Sequence, residues 1–332
     1  MSRPWPDRSQ LLEMAAAFRA SCVLGAAAEL DLFGLLGAES LSAEAVAERL
    51  ACDARAGRML FDALVALNVL DKQNERYRVP PELRPLLTDG TPETVLPMIR
   101  HGMNTLRQWS QLAWVVKSGI PGPRQASIRG FEADRAAFIA AMHSVSGPLA
   151  DGLVARLMPL EFEHLLDVGG ASGTWTLAFL RAVPGARATI FDLPDAIQQA
   201  RQRLAASALA DRVAFAAGDF YQDDLPGGAD FAWLSAIIHQ HSRAHSRALY
   251  AKVYQALVPG GRVGIREVVM DPCRTRPAMG TLFAINMLVN TDSGGTFTFE
   301  EIADDLHAAG FIEPELRLKG EQMDSVVLAR RP

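Results

Sequence analysis

Apolar and polar positions follow one period in the first half of this chain and another in the second, and the change falls at residue 164. Before it, apolar residues recur every three or four positions, the spacing of helices with one buried face. Residues 8–37 read as two amphipathic helices rich in Ala and Leu. Ser42 then stands as a helix cap, with a short helix to residue 50 and a turn at 51–53. A second helix over 54–70 carries Met59, Leu60, Ala63, Leu64 and Leu67 on one face. A polar turn at 72–75 leads into "RYRV", a wing strand, so the block reads as helix-turn-helix plus wing. Residues 92–150 continue as helices, broken by the loop "GIPGP" at 119–123.

From 164 onward short apolar runs alternate with helical stretches. "HLLDV", "ARATIFDL", "RVAFAAGD", "GADFAWLSAI" and "RVGIREVVM" read as strands, with helices between them and another near 299–309. "IEPELRL" and "DSVVLAR" close the chain as consecutive strands, an antiparallel edge hairpin. Alternating strands and helices imply right-handed crossovers and a doubly wound, mainly parallel α/β sheet. In such sheets the ligand lies beyond the carboxyl ends of the strands.

Composition narrows this picture. A chain of 332 residues, 49% hydrophobic, has room for about two domains. The expected division is a helical and winged-helix domain over 1–100, a helical connector over 101–155 and an α/β domain over 156–332. The net charge of −5 argues against nucleic acid or an anionic membrane as partner. In the winged helix, Arg55 and Arg58 stand beside Asp53 and Asp62, a poor set for reading a DNA groove, which favours a scaffold or dimerisation role. Cys22, Cys52 and Cys273 are widely spaced and form no CxxC, as expected of reduced thiols in a cytoplasmic protein. Asp7, Glu13, Arg19 and Glu29 interrupt the N-terminal apolar stretches, so neither a signal peptide nor a membrane span is expected there.

The candidate chemistry begins at "HLLDVGGASG", residues 164–173. Gly169, Gly170 and Gly173 sit where the first strand hands over to the first helix, where backbone can approach a ligand and offer N–H groups. Asp192, in "IFDLP", occupies the position of an acid that accepts both hydroxyls of a ribose. Asp219, in "AAGDFY", lies at the tip of the third strand, near where an adenine would sit. A nicotinamide dinucleotide and S-adenosylmethionine both fit such a cleft. The spacing Gly169, Ala171, Gly173 suits the D-x-G-x-G-x-G turn of methyltransferases with alanine at its middle position and Asp167 as its leading acid. With the terminal strand pair, it favours S-adenosylmethionine.

With "LDVGGASG", "FDLPDAI", "GDFY", "IIHQHS", "PGGRVGIREVVMD" and "GGTFTFEEIADDLHAAGF", the chain resembles the caffeate O-methyltransferase-like family, plant and bacterial, over nearly its full length. The resemblance implies a class I methyltransferase sheet, of Rossmann-like doubly wound type with an antiparallel terminal strand. Before it would come a winged-helix domain that dimerises the enzyme. It implies that Gly169 and its neighbours line the methionine part of S-adenosylmethionine, that Asp192 holds the ribose, and that Asp219 and Phe220 flank the adenine. Leu193 and Ser235 complete the implied cofactor set. His239 falls on the family's general base and Glu267 on one of the two acids that orient it. His101, Asn104, Trp109, Met142, His143, Asn286 and Met287 fall on substrate-pocket positions, with core packing as the alternative for each.

The departures from the family are equally specific. The histidine is usually followed by aspartate and tryptophan; here Gln240 and His241 follow. The second supporting acid falls on Phe297. His239, His241 and His245 also raise a metal reading, but no cysteine is near and no metal is expected. The expected activity is methyl transfer to a small-molecule acceptor, a hydroxyl of a phenolic or polycyclic secondary metabolite. C- or N-methylation, a non-methylating cofactor-binding relative, and a ligand-responsive DNA-binding protein stay open as alternatives.

Overall fold

The structure is a computed structural model describing residues 5–170 and 172–332, without the side chains of residues 143 and 145. Two compact units share the chain. One runs to Arg107 and adds Arg124–Ser144; the other takes Gln108–Pro123 and Val145–Pro332.

The first unit opens with helices Arg8–Ala16, Phe18–Glu29 and Leu32–Leu36, so the predicted pair is divided further. The run Arg8–Glu29 is long and apolar enough to cross a membrane by length and composition, and so is Gly130–Leu157. Only 17% of the apolar window in Arg8–Glu29 is buried, which leaves Leu11, Leu12, Met14 and Phe18 exposed. The helix-turn-helix forms as helices Ala43–Arg49 and Ala54–Ala66, capped by Ser42 and Asp53. The second helix stops earlier than its apolar pattern suggests, because Asn68 adopts a left-handed backbone. The wing is more regular than the sequence indicates. Asp71–Gln73 pairs with Arg76–Arg78 across a turn in which Asn74 and Glu75 both have positive φ, the geometry of a tight hairpin. Phe61, Leu64 and Tyr77 pack in its core, and the Tyr77 hydroxyl donates to Asp62 at 2.7 Å. Arg58 is ion-paired to Glu44 and to Glu75, so its charge is spent on the fold's own carboxylates.

The second unit holds one seven-stranded sheet. Its strands are β1 His164–Val168, β2 Arg187–Asp192, β3 Val213–Ala217, β4 Ala229–Ser235, β5 Leu257–Glu267, β6 Ile312–Leu318 and β7 Ser325–Arg330, in spatial order β6-β7-β5-β4-β1-β2-β3. All neighbours are parallel except β7, which runs antiparallel to both β5 and β6. The terminal hairpin therefore does not simply add to the edge: β7 inserts beside β5 and leaves β6 outermost.

The register explains two sequence features. Asp167, Trp233 and Gly264 lie in one row across β1, β4 and β5. A side chain at Gly264 would come within 2.8 Å of the Trp233 ring, so glycine in the strand makes room for the indole. Each face of the sheet is covered, which is why its central strands read as unbroken apolar runs. On one face Leu165, Phe231 and Trp233 meet Trp175, Phe179 and Leu157; on the other Leu166, Leu234 and Ile265 meet Leu249, Tyr250 and Leu306. A helix that the strand-helix alternation misses, Ala278–Asn290, follows β5. The helix Phe299–Ala308 starts at a capping box: Thr298 Oγ accepts from Glu301 N, and the Glu301 carboxylate accepts from Thr298 N at 3.0 Å. Thr298→Ala is expected to lower unfolding free energy by about 1 kcal/mol, read as a lower urea midpoint at constant m. An unmoved midpoint would show that the box contributes nothing.

Candidate active site

The cofactor and base candidates of the second unit lie at or just beyond the carboxyl ends of β1, β2, β3, β4 and β5. At the end of β1, Gly169 takes φ +69° and its N–H donates to Phe191 O at 2.8 Å. A Cβ there would stand 2.4 Å from Ile237 Cδ1. Gly173 (φ +71°) would place a Cβ 2.9 Å from Leu204 Cδ1, and Gly170 would place one 2.8 Å from the Asp167 carboxyl carbon. These glycines are thus required by the protein's own packing. Ala171, the substituted middle position, lies outside the described residues.

Asp167 is the anomaly in this turn. It is buried, Thr176 Oγ1 donates to its Oδ2 at 2.6 Å, and its Oδ1 has no hydrogen-bond partner among the described residues. Burial, aided by the charge of Asp192, raises its pKa to about 7 against the pull of the Thr176 hydrogen bond. A carboxyl whose pKa is raised by folding binds its proton more tightly in the native chain than in the unfolded one. Its stabilising contribution is complete below about pH 4 and is lost as pH climbs through 7. The ligand-free protein should therefore lose melting temperature between about pH 4 and 7, by the equivalent of a few kcal/mol, and Asp167→Asn should flatten that profile. Equal slopes in the two proteins would assign the dependence elsewhere.

At the end of β2, Asp192 is half-buried and its Oδ1 accepts from Leu193 N at 2.7 Å, while Leu193 is exposed. Beyond β3, the Asp219 carboxylate accepts from Tyr221 N at 2.9 Å and Gln222 Nε2 at 3.1 Å, closing the turn that presents Phe220. The Phe220 ring meets the His241 ring edge-on at 5.7 Å. At the end of β4, Ser235 Oγ accepts from Arg266 Nη1 at 2.9 Å. Ala236 follows with φ +59°, and the chain reverses into the short turn Ile238–Gln240.

That reversal brings His239 to Glu267 at the end of β5. His239 Nδ1 lies 2.9 Å and 3.0 Å from the two carboxylate oxygens, with both residues buried. A carboxylate only accepts, so Nδ1 carries the hydrogen and Nε2 keeps its lone pair. Phe297 packs against the apolar core, in a two-residue strand beside Val269–Met270, and offers no second acid. Backbone supplies other support: Gly295 N donates to His239 O at 2.8 Å, and a side chain at Gly294 would collide with that same oxygen. The ring of Phe283 meets the His239 ring edge-on at 4.8 Å. Gly294 and Gly295 open a motif that carried the family resemblance, whereas Phe283 was not singled out, because no local signal says which strand end it meets.

The histidine run does not gather. His239 faces Glu267, His241 meets the Tyr221 hydroxyl, and His245 Nδ1 pairs with Ser242 Oγ at 3.1 Å. Burial, then the neighbouring His239 and His245, lowers the His241 pKa to about 4, which keeps it neutral at physiological pH. The substrate candidates divide between the units. In the second, Trp109 Nε1 donates to Asn286 Oδ1 at 2.9 Å, and Met287 is buried. In the first, the His101 ring lies 5.1 Å from Phe138, Asn104 accepts from Arg107 at 2.7 Å, and Met142 is half-buried. The His143 side chain lies outside the described residues.

Comparison with known proteins decides the family. Residues 103–312 match the O-methyltransferase domain and residues 12–82 the O-methyltransferase dimerisation domain. The chain belongs to the O-methyltransferase family. It is an S-adenosylmethionine-dependent methyltransferase, and its winged helix lies in the dimerisation domain. Among its relatives, the tetracenomycin polyketide synthesis 8-O-methyl transferase of Streptomyces glaucescens is 33% identical, covering 97% of this chain and 96% of its own. The N,N-dimethyltransferase OxyT of Streptomyces rimosus is 28% identical over 99% of this chain and 98% of its own. The solved structure of human N-acetylserotonin methyltransferase with S-adenosylmethionine superposes with a TM-score of 0.79 at 27% identity, covering 100% of this chain and 99% of that one. The cofactor's chemistry suits the residues at the strand ends: an adenosine with a diol for Asp192, and an amino-acid end carrying charge for the unsatisfied Asp167 oxygen.

Proposed function

We propose that this O-methyltransferase methylates a hydroxyl of a phenolic or polycyclic secondary metabolite, with His239 as general base. The observation that carries this is the buried His239–Glu267 pair at the end of β5. The activity of the Streptomyces glaucescens relative on a polyketide agrees with it. S-Adenosylmethionine supplies an electrophilic methyl group on a sulfonium. Glu267 holds the imidazole in one tautomer, so Nε2 accepts the hydroxyl proton. A phenol titrates near 10 and an imidazole near 6.5, so full transfer in the ground state is uphill by about 5 kcal/mol. Holding the oxygen in line with the methyl group contributes roughly 7–11 kcal/mol, so alignment carries the larger share and His239 provides the proton sink. Asp192 accepts from the ribose diol, Asp219 and Phe220 bound the adenine, and Gly169, Gly170, Ser235 and Asp167 face the amino-acid end. The exposed apolar side chains Leu11, Leu12, Met14 and Phe18 lie in or beside the dimerisation match, which supports a homodimer formed through the N-terminal region.

A second reading is methylation of an amine. It is favoured by Phe297 in place of a second acid and by the relationship to an N,N-dimethyltransferase. Incubation with methyl-labelled S-adenosylmethionine and matched phenol and amine panels, with product NMR, separates the two. Label on oxygen supports the first reading; label on nitrogen alone replaces it.

A further inference from the structure

The buried Arg266 has no role in the proposed chemistry. It is the penultimate residue of β5 and only 2% exposed, yet its guanidinium forms no ion pair among the described residues. Its neighbour Glu267 points to the opposite face of the sheet and is committed to His239. Among the described residues, Arg266 Nη1 donates to Ser235 Oγ at 2.9 Å and Nε has no hydrogen-bond partner. The guanidinium stacks over the Trp175 ring at 4.6 Å.

These contacts fix its place. Ser235 is the last residue of β4, and Trp175 stands in the first turn of the helix that follows the glycine turn. The cation therefore sits at the carboxyl edge of the sheet, between the end of β4 and the start of that helix. It lies on the same face as Asp167, since Gly264 shares a row with Asp167 and Arg266 is two residues further along β5. Two buried ionisable side chains on one face thus each leave an atom unsatisfied: an oxygen of Asp167 and a nitrogen of Arg266. Burying a guanidinium without an ion pair is costly, and stacking on one indole offsets only part of that cost. An arriving carboxylate would complete it.

We propose that Arg266 binds the α-carboxylate of the cofactor's amino-acid end, with Ser235 orienting the guanidinium and Trp175 backing it. The inference rests on the S-adenosylmethionine dependence stated above and adds a specificity residue to it. Arg266 reads the charged tail, whereas Asp192 and Phe220 read the nucleoside.

The test is calorimetric titration with S-adenosylhomocysteine and with 5′-deoxy-5′-methylthioadenosine, which keeps the adenosine and lacks the amino acid. Arg266→Met should weaken the first about 10- to 100-fold, the worth of a charged hydrogen bond, and leave the second within about twofold. Arg266→Lys should recover part of the loss. A purely structural arginine would weaken both ligands alike or neither, and either result overturns the proposal. Should Arg266→Met not fold, the wild type titrated with S-adenosylhomocysteine and its α-carboxamide gives the answer: weaker binding of the carboxamide supports the proposal, and equal affinities overturn it. A wild type that binds no adenosine ligand at all would instead sink the cofactor assignment.

Discussion

His239→Ala is expected to lower methyl transfer to a phenolic acceptor about 10²- to 10⁴-fold, the range for loss of a positioned general base. Cofactor affinity should stay within about twofold, because the His239 side chain engages Glu267 and Phe283 rather than the nucleoside positions. Glu267→Gln probes the same device from the other side. An amide can donate to Nδ1, which would move the imidazole hydrogen to Nε2 and turn the base into a donor. The loss should approach that of His239→Ala with little change in KM. Turnover in His239→Ala equal to that of the wild type would remove the base assignment, and methyl transfer would then rest on alignment alone.

Asp192→Ala is the second large effect. A carboxylate accepting from both hydroxyls of a ribose makes two charge-assisted hydrogen bonds, each worth about 1.5–3 kcal/mol. Their loss should weaken S-adenosylhomocysteine binding about 10²- to 10⁴-fold by calorimetry. The charge of Asp192 also raises the Asp167 pKa, so the variant should show a weaker loss of stability between about pH 4 and 7. Undiminished affinity would mean that the ribose lies elsewhere and that the strand-end reading of the site is wrong.

Those two residues show how differently the parts of the site could be read in advance. Asp192 announces itself: an acid at the end of a second apolar run, at a set distance from a glycine turn, needs nothing beyond chain order. The glycines were legible as a turn, but their cause was not, since Ile237 and Leu204 come from distant segments and crowd the positions where side chains would stand. The wing was half visible. Its strand was evident, while the pairing of Asp71–Gln73 depended on Asn74 and Glu75 both taking a left-handed backbone, which residue type alone leaves open. Helix Ala278–Asn290 went unread because it interrupts the alternation without repeating it.

Local pattern and order of elements determined the class of this protein. Periods of apolar residues set helix against strand, strand ends gave the expected place of the site, and the Gly169–Ala171–Gly173 spacing with the terminal strand pair favoured S-adenosylmethionine over a dinucleotide. What only tertiary structure decided is which side chains are left with unmet needs. Glu267 turns to His239 while Arg266 turns to the other face, where its Nε meets no hydrogen-bond partner among the described residues. Alternation along a strand makes adjacent residues face opposite ways, and only the packing on each face says what they meet there.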